Sequence, residues 1–183
     1  MRYIFFTALL LSAGLVRADS NPYKGKAHQI PGKIEAEHYD EGAPGKAYHD
    51  VDEKNLGVDY RKATQVDIEK RSDASNGHGI GWTRKGEWLN YTVEVKESGV
   101  YSIEIPVASN KQGGVFHLEI KSKDITGPIQ IPDTGGWQIL KLLHHKDVKL
   151  TKGRHVIRAV MVKKGASGSI GDIDYFKFEK PQK

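Results

Sequence analysis

The chain has 183 residues, a hydrophobic content of 38% and a formal net charge of +5, which are ordinary values for one globular domain. Its lysines and arginines are interspersed with aspartates and glutamates rather than gathered in blocks, which argues against a nucleic-acid partner. The chain has no cysteine, so a disulfide framework is excluded as the support of the fold.

The first 18 residues predict a secretory signal peptide. Arg2 precedes the apolar run IFFTALLLSAGLV, and the small residues around VRA suit a signal peptidase. The run is too short for a membrane span, and no later segment reaches 18 consecutive apolar residues. We therefore expect a secreted protein, extracellular or periplasmic, whose mature part is a soluble monomer that begins near Asp19.

Residues 19–30 read as a polar lead-in, and a single domain is expected over residues 31–180. In this domain apolar and polar residues alternate with period two in WLNYTVEV, GVYSIEIPVAS and VFHLEI. In HVIRAVMV we expect Val156 and every second residue after it to face the core. In DIDYFKF either Ile173 and Tyr175 or the residues between them can face the core. Many short strands separated by Gly, Pro, Asn and Asp predict an all-β fold, a two-sheet antiparallel β-sandwich.

Two carboxylates with strand spacing occur in the early segment GKIEAEHY. Glu35 and Glu37 share one face of the predicted strand, about 6.6 Å apart along it. They either lie on a solvated face or form half of a Ca²⁺ site, because Ca²⁺ prefers several oxygen ligands. The segment GDIDYFKF offers Asp172 and Asp174 with the same spacing, and the first and last strands of a sandwich commonly lie together.

The three tryptophans have different contexts. Trp88 begins an alternating strand, which favours packing against the sheet. Trp82 and Trp137 each follow a glycine at the junction of a turn and a strand. Each is either a core residue or an exposed indole whose flat apolar face suits a pyranose ring, a contact that contributes on the order of 1 kcal/mol.

Five segments, taken together and in order, resemble a family 6 carbohydrate-binding module over about residues 28–180. They are IEAEHYDEG, GWTRKGEWLNYTVEV, GVYSIEIPVAS, DTGGWQ and GASGSIGDIDYFKF. The resemblance implies a galactose-binding-like jelly roll that binds a polysaccharide or oligosaccharide without cleaving it. It also implies that Trp82 and Trp137 hold a sugar ring, and that Glu35, Glu37 and Asp174 bind a structural Ca²⁺. Ser169 stands where family members often carry a sugar-binding asparagine.

We expect the ligand to be a neutral β-glucan or a related plant or algal glycan. One alternative is an adhesin-like binder of anionic glycans, in which Arg84 and Lys85 meet sulfate or uronate groups. A second is a small glycoside hydrolase that uses Glu87 or Asp133, although neither has a spacing motif behind it. The loop 47–61 either contributes to the cleft or is a surface loop; its candidate residues are Tyr48, His49, Asp50 and Asn55.

Overall fold

The computed structural model describes residues 20–58 and 60–181, so the predicted leader of residues 1–18 lies outside them. The described part contains a short 3-10 turn at Tyr23–Gly25, and none of its helices is long and apolar enough to cross a membrane. The strands, in chain order, are β1 (His28–Ile30), β2 (Gly32–Glu35), β3 (Tyr48–His49), β4 (Ile68–Lys70), β5 (His78–Ile80), β6 (Trp88–Val95), β7 (Gly99–Ser109), β8 (Val115–Ile120), β9 (Lys123–Asp124), β10 (Ile129–Gln130), β11 (Gly136–Leu150), β12 (Gly153–Lys163), β13 (Asp172–Ile173) and β14 (Tyr175–Glu179).

These strands form two sheets, which confirms the predicted all-β sandwich. The first sheet has the order β1-β6-β12-β8-β10, with β3 beside β6 and β9 beside β8. The second has the order β2-β14-β7-β13-β5-β4, with β11 beside β7. The pairs are antiparallel except for the parallel pair β1 and β6. The early and late segments that were expected to lie together, GKIEAEHY and GDIDYFKF, do meet, because β2 pairs with β14, whereas β1 pairs with β6 in the other sheet.

The core lies between the two sheets and follows the period-two pattern. The apolar alternate set of each central strand is buried: Leu89, Tyr91, Val93 and Val95 in β6, where Asn90 and Thr92 between them are buried too, and Tyr101, Ile103, Ile105 and Val107 in β7. Aromatic rings join the layers, since Phe176 of β14 makes edge contacts with Tyr91 of β6 and Phe116 of β8 at 5.6 and 6.3 Å. Such contacts add to the free energy of area burial.

The prediction of which face of β12 is buried is wrong. The structure buries Ile157, Ala159 and Met161, whereas Val156 is 40% exposed. Apolar residues occur at both parities of HVIRAVMV, valines at one and Ile157, Ala159 and Met161 at the other, so the alternation does not identify the inner face. In the last segment the phase changes at Asp174, between β13 and β14, and Ile173 faces the core with Phe176 rather than with Tyr175.

Part of the predicted lead-in belongs to the sheet. His28–Ile30 forms β1, which pairs with β6 from Val93 to Val95, and Ile30 is fully buried. The domain therefore begins before residue 31. Trp88, at the start of β6, is half-buried, with the guanidinium of Arg158 3.9 Å from its ring. This packing agrees with the structural role expected for Trp88.

Candidate functional site

A pocket of about 290 Å³ lies where the turn after β5 meets the start of β11. It brings together the three residues that were predicted to bind a ligand: Trp82, Trp137 and Ser169. Trp82 is 45% exposed, and Trp137 is half-buried. Neither indole belongs to the core between the sheets. Two accessible indoles in one pocket provide apolar faces on which a ring-shaped ligand can stack.

The turn before Trp137 is built by its own polar side chains. The Asp133 carboxylate accepts hydrogen bonds from the backbone N–H groups of Gly135 (2.9 Å) and Lys111 (3.1 Å). The Thr134 hydroxyl accepts from the backbone of Ser109 at the end of β7 and lies 3.0 Å from the carbonyl of Gly136. Gly135 has φ +94°, a left-handed conformation that disfavours side chains. The sequence DTGG therefore fixes the backbone that presents Trp137.

Trp82 itself has a positive φ of 48°, and the residue after it anchors the turn. The Thr83 hydroxyl donates to the carbonyl of Gly171 (2.5 Å) and accepts from its N–H (3.1 Å). The Ser169 hydroxyl donates to the carbonyl of Thr83 at 2.7 Å. Ser169 thus lines the pocket while its hydroxyl proton holds the Trp82 turn, so towards a ligand it offers mainly an acceptor.

A buried network of charges forms the polar side of the pocket. Arg71, only 1% exposed, donates to Glu69, to Asp172 (3.0 Å) and to Asp73 (2.9 Å). Glu69 and Asp172 both line the pocket, as does Gln138, whose amide donates to Glu69 at 3.0 Å. Burial and the adjacent Glu69 carboxylate raise the pKa of Asp172. The network presents carboxylate oxygens and one exposed amide to a ligand.

Three of these pocket residues, Glu69, Gln138 and Asp172, were missed as ligand contacts by the sequence reasoning. Gln138 follows Trp137 directly in DTGGWQ, and Asp172 belongs to a segment that was noted for its carboxylates, so both had a local signal. Glu69 had none, because no motif or spacing pattern surrounds it.

Other predicted candidates lie elsewhere. Tyr48 is buried in the core and His49 lies 6.4 Å from the Trp88 ring, while Asp50 and Asn55 are also absent from the lining of the pocket. Glu87 is 6% exposed and lines a separate small cavity. Asp133 serves the turn described above. The two acids nominated for hydrolysis are therefore not brought together in the pocket.

The three predicted metal ligands gather around one loop. The Asp174 carboxylate accepts from the backbone N–H of Ser75 (3.1 Å), the Ser75 hydroxyl donates to Glu35 (2.8 Å), and the side chain of Asn76 donates to Glu37. Glu37 is fully buried and its Oε2 has no hydrogen-bond partner. Burial raises the pKa of Glu37 to about 7. A buried carboxylate oxygen without a partner, beside two further carboxylates, suits a hard cation.

The neighbouring charges at this loop are mixed. The ammonium of Lys33 lies 2.6 Å from Glu35 and also donates to Ser75. The three predicted ligands are not the closest group of acids. Within residues 20–58 and 60–181, Asp50, Asp52 and Asp67 each place a carboxylate oxygen within 4.8 Å of the others.

A jelly-roll β-sandwich with two accessible tryptophans and a polar wall in a pocket formed by loops defines a class of protein, the ligand-binding β-sandwich modules. The chain belongs to family 6 of the carbohydrate-binding modules, because the family model described as "Carbohydrate binding module (family 6)" matches residues 57–180. The predicted family is thereby confirmed.

Solved structures of family 6 modules share the fold. A β-1,3-glucan-binding module from Bacillus halodurans has a TM-score of 0.63 and 24% identity, and the match covers 85% of this chain and all of that one. The module of Cellvibrio mixtus lichenase 5A, in complex with cellotriose, has a TM-score of 0.60 and 25% identity over 83% of this chain and 98% of that one.

Curated relatives are much longer proteins. The clotting factor G alpha subunit of Tachypleus tridentatus is 33% identical over 88 residues, which is 47% of this chain and 13% of the relative. The β-agarase AgaA of Microbulbifer thermotolerans is 29% identical over 63 residues, 34% of this chain and 14% of the relative. The chain therefore spans about one seventh of the length of these two relatives.

Proposed function

We propose that this chain is a secreted, monomeric, non-catalytic module that binds a neutral polysaccharide, a β-glucan or a related plant or algal glycan, by stacking sugar rings on Trp82 and Trp137. The observation that carries the proposal is the single pocket in which the two indoles lie beside Gln138 and Glu69. Sugars combine apolar C–H faces with hydroxyl rims, and this pocket offers indole faces and hydrogen-bonding groups together.

The volume of the pocket also supports contact with a short stretch of a glycan. A volume of about 290 Å³ lies at the lower end of the range for small-molecule pockets, which suits one or two sugar rings at an open surface. Two stacked rings and a few hydrogen bonds, less the entropy of ordering a flexible chain, correspond to a Kd between about 1 μM and 1 mM. The cellotriose complex of the module at 25% identity makes a β-glucan our first choice of ligand.

The charge of the pocket disfavours the anionic alternative. Glu69 and Asp172 line it, and the single guanidinium of Arg71 already serves three carboxylates. Arg84, one of the two cations expected to meet an acidic glycan, forms an ion pair of 3.1 Å with Asp52. A sulfate or uronate group at the pocket would therefore meet net repulsion.

The arrangement of carboxylates disfavours hydrolysis. A glycosidase requires two carboxyl groups about 5 to 9.5 Å apart, across the scissile bond. The two acids that line this pocket, Glu69 and Asp172, both bind the same Nη1 atom of Arg71. They are neighbours in one ion-pair network, so no sugar fits between them.

We further propose that Glu35, Glu37 and Asp174 hold a structural Ca²⁺. The unpartnered oxygen of Glu37 and the convergence of the other two carboxylates on Ser75 support this assignment. A bound Ca²⁺ would offset most of the negative charge of the three carboxylates and stabilise the junction of β2, β14 and the loop at Ser75, without taking part in any reaction.

The test is calorimetric titration with a panel of soluble neutral and acidic glycans, together with an assay for released reducing sugars. We expect binding to a neutral β-glucan, no reducing sugar, and loss of binding in Trp82→Ala and Trp137→Ala at unchanged melting temperature. Trp88→Ala is the matched control and should bind as wild type does. Binding that survives both pocket substitutions, or unfolding of Trp137→Ala, would contradict the proposal.

A further inference from the structure

A second acidic cluster lies next to the Trp82 turn. Asp50, Asp52 and Asp67 each place a carboxylate oxygen within 4.8 Å of the others. Asp50 and Asp67 are 8% and 3% exposed, and they line a small cavity together with Glu87, which is 6% exposed. From the sequence, Asp50 was a candidate of the loop 47–61 and Glu87 a catalytic candidate, whereas Asp52 and Asp67 were not singled out. The fold brings them together.

The cavity has the dimensions of a single small occupant. Its volume is about 10 Å³, which is about the space of one water molecule or one bare metal ion. Its wall combines the carboxylates of Asp50, Asp67 and Glu87 with Gly81 and Thr83, the two residues that flank Trp82. His49 also faces it, and apolar side chains complete the enclosure.

The hydrogen bonds in the cluster hold the carboxylates but do not use all their oxygens. One oxygen of each acid accepts from a backbone N–H: Asp50 from Asp52 (2.8 Å), Asp67 from Leu56 (2.5 Å) and Glu87 from Arg84 (2.8 Å). The other oxygen of Glu87, Oε1, is buried and has no hydrogen-bond partner. Buried polar atoms are almost always paired, so this carboxylate oxygen gives the cavity an acceptor that a ligand can use.

The charges of the cluster point to a cation. Arg84 pairs with Asp52 and is 49% exposed, so it lies at the outer side of the cluster. Burial and repulsion between the acids raise the pKa of Asp50 to about 6 and that of Glu87 to about 8. Removing several carboxylates from water is costly unless a positive charge compensates them.

We propose that this cavity is a binding site for a divalent cation, Ca²⁺, with Asp50, Asp67 and Glu87 as ligands and Asp52 at its rim. An all-oxygen, carboxylate-rich donor set suits Ca²⁺ better than Mg²⁺, which retains most of its water, or Zn²⁺, which prefers nitrogen and sulfur. The site is distinct from the one at Glu37, since the two sets share no residue.

The cation would connect the Trp82 turn to the rest of the domain. The ligands come from three segments, around residues 50, 67 and 87, and the last follows Trp82 within one turn. Gly81 already donates a 3.0 Å backbone hydrogen bond to Asp67. A bound Ca²⁺ therefore orders the backbone on both sides of Trp82. An effect of this Ca²⁺ on glycan affinity rests on the proposed function. The binding of the cation does not depend on that function.

The experiment is titration of Ca²⁺ into chelator-treated full chain, for wild type and for Glu87→Gln, with Glu37→Gln as the matched control at the other candidate site. We expect Glu87→Gln to lose one equivalent of Ca²⁺ relative to wild type, or to weaken that equivalent at least about tenfold, and Glu37→Gln to retain it. If Glu87→Gln binds the same number of Ca²⁺ ions as wild type with the same affinity, the proposal is overturned and a water molecule is the occupant of the cavity.

A second variant protects the test against misfolding. If circular dichroism shows that Glu87→Gln does not fold, Asp52→Asn at the rim is titrated instead, and weakened Ca²⁺ binding supports the site while unchanged binding refutes it. Trp82→Ala should keep its Ca²⁺ while it loses glycan. A wild type that binds Ca²⁺ at this cluster but no glycan would reject the proposed function and retain the cation site.

Discussion

Gln138 donates a hydrogen bond of 3.0 Å to Glu69, which joins the exposed amide beside Trp137 to the buried guanidinium of Arg71. The amide is thereby held in one orientation at the edge of the pocket. A polar group that is fixed before the ligand arrives loses little entropy on binding. We infer that Gln138 contributes directly to sugar recognition.

Gln138→Ala should weaken glycan binding about 3- to 10-fold, because one neutral hydrogen bond contributes roughly 0.5 to 1.5 kcal/mol. The melting temperature should fall by only a few degrees, because the hydrogen bond lost to Glu69 lies at the exposed edge of the network. Titration calorimetry and thermal unfolding measure the two effects. Leu142→Ala, on the same strand and 46% exposed, is the control. Equal affinities of Gln138→Ala and wild type would remove Gln138 from the site.

Arg71→Met should destabilise the domain strongly. Arg71 is buried and binds three carboxylates, two of which are themselves buried. Removing it leaves charges without a partner, at a cost of about 3 to 5 kcal/mol in the free energy of unfolding. Urea denaturation gives this value, and Arg154→Met, at an exposed position, should change it by less than about 0.5 kcal/mol. A small effect at Arg71 would mean that the network is solvated.

The sequence predicts the fold well where one face of a strand is apolar and the other polar. In β7 the buried set from Tyr101 to Val107 follows directly from the alternation. In β12 both parities carry apolar residues, and the inner face is selected only by the partner strands, which the local pattern does not contain. The change of phase at Asp174 likewise depends on a break between β13 and β14.

In the candidate site, too, some features have a local sequence signal and others depend on distant residues. Glycines before Trp82 and Trp137 gave a local signal that the indoles stand at turns. The ion pair between Arg71 and Asp172 joins residues 101 positions apart, and no local pattern reports such a partner. The same holds for Asp50 and Glu87, which come from different loops and meet at one cavity. Sequence reasoning therefore located the aromatic residues of the site and missed its buried charges.

Salt should have little effect on glycan affinity. A change in ionic strength from about 0.01 to 1 M shortens the Debye length from about 30 to 3 Å, which weakens attraction between exposed charges and leaves stacking largely unaffected. We expect Kd for a neutral β-glucan to change less than about twofold over this range. Calorimetry at several salt concentrations measures it. If instead a sulfated or uronate-containing glycan binds and loses tenfold or more in affinity over this range, the anionic-glycan alternative through Arg84 and Lys85 is favoured.

Removal of Ca²⁺ should lower stability through Glu37. A ligand that binds only the folded state at one hundred times its Kd adds about 2.7 kcal/mol, which for a chain of this size raises the melting temperature by roughly 5 to 10 °C. Because chelation empties both proposed sites, the informative quantity is the difference between wild type and Glu37→Gln. We expect the shift caused by Ca²⁺ to shrink in Glu37→Gln and to persist in Glu179→Gln, whose side chain is 43% exposed on β14. An equal shift in all three proteins would show that Glu37 binds no cation.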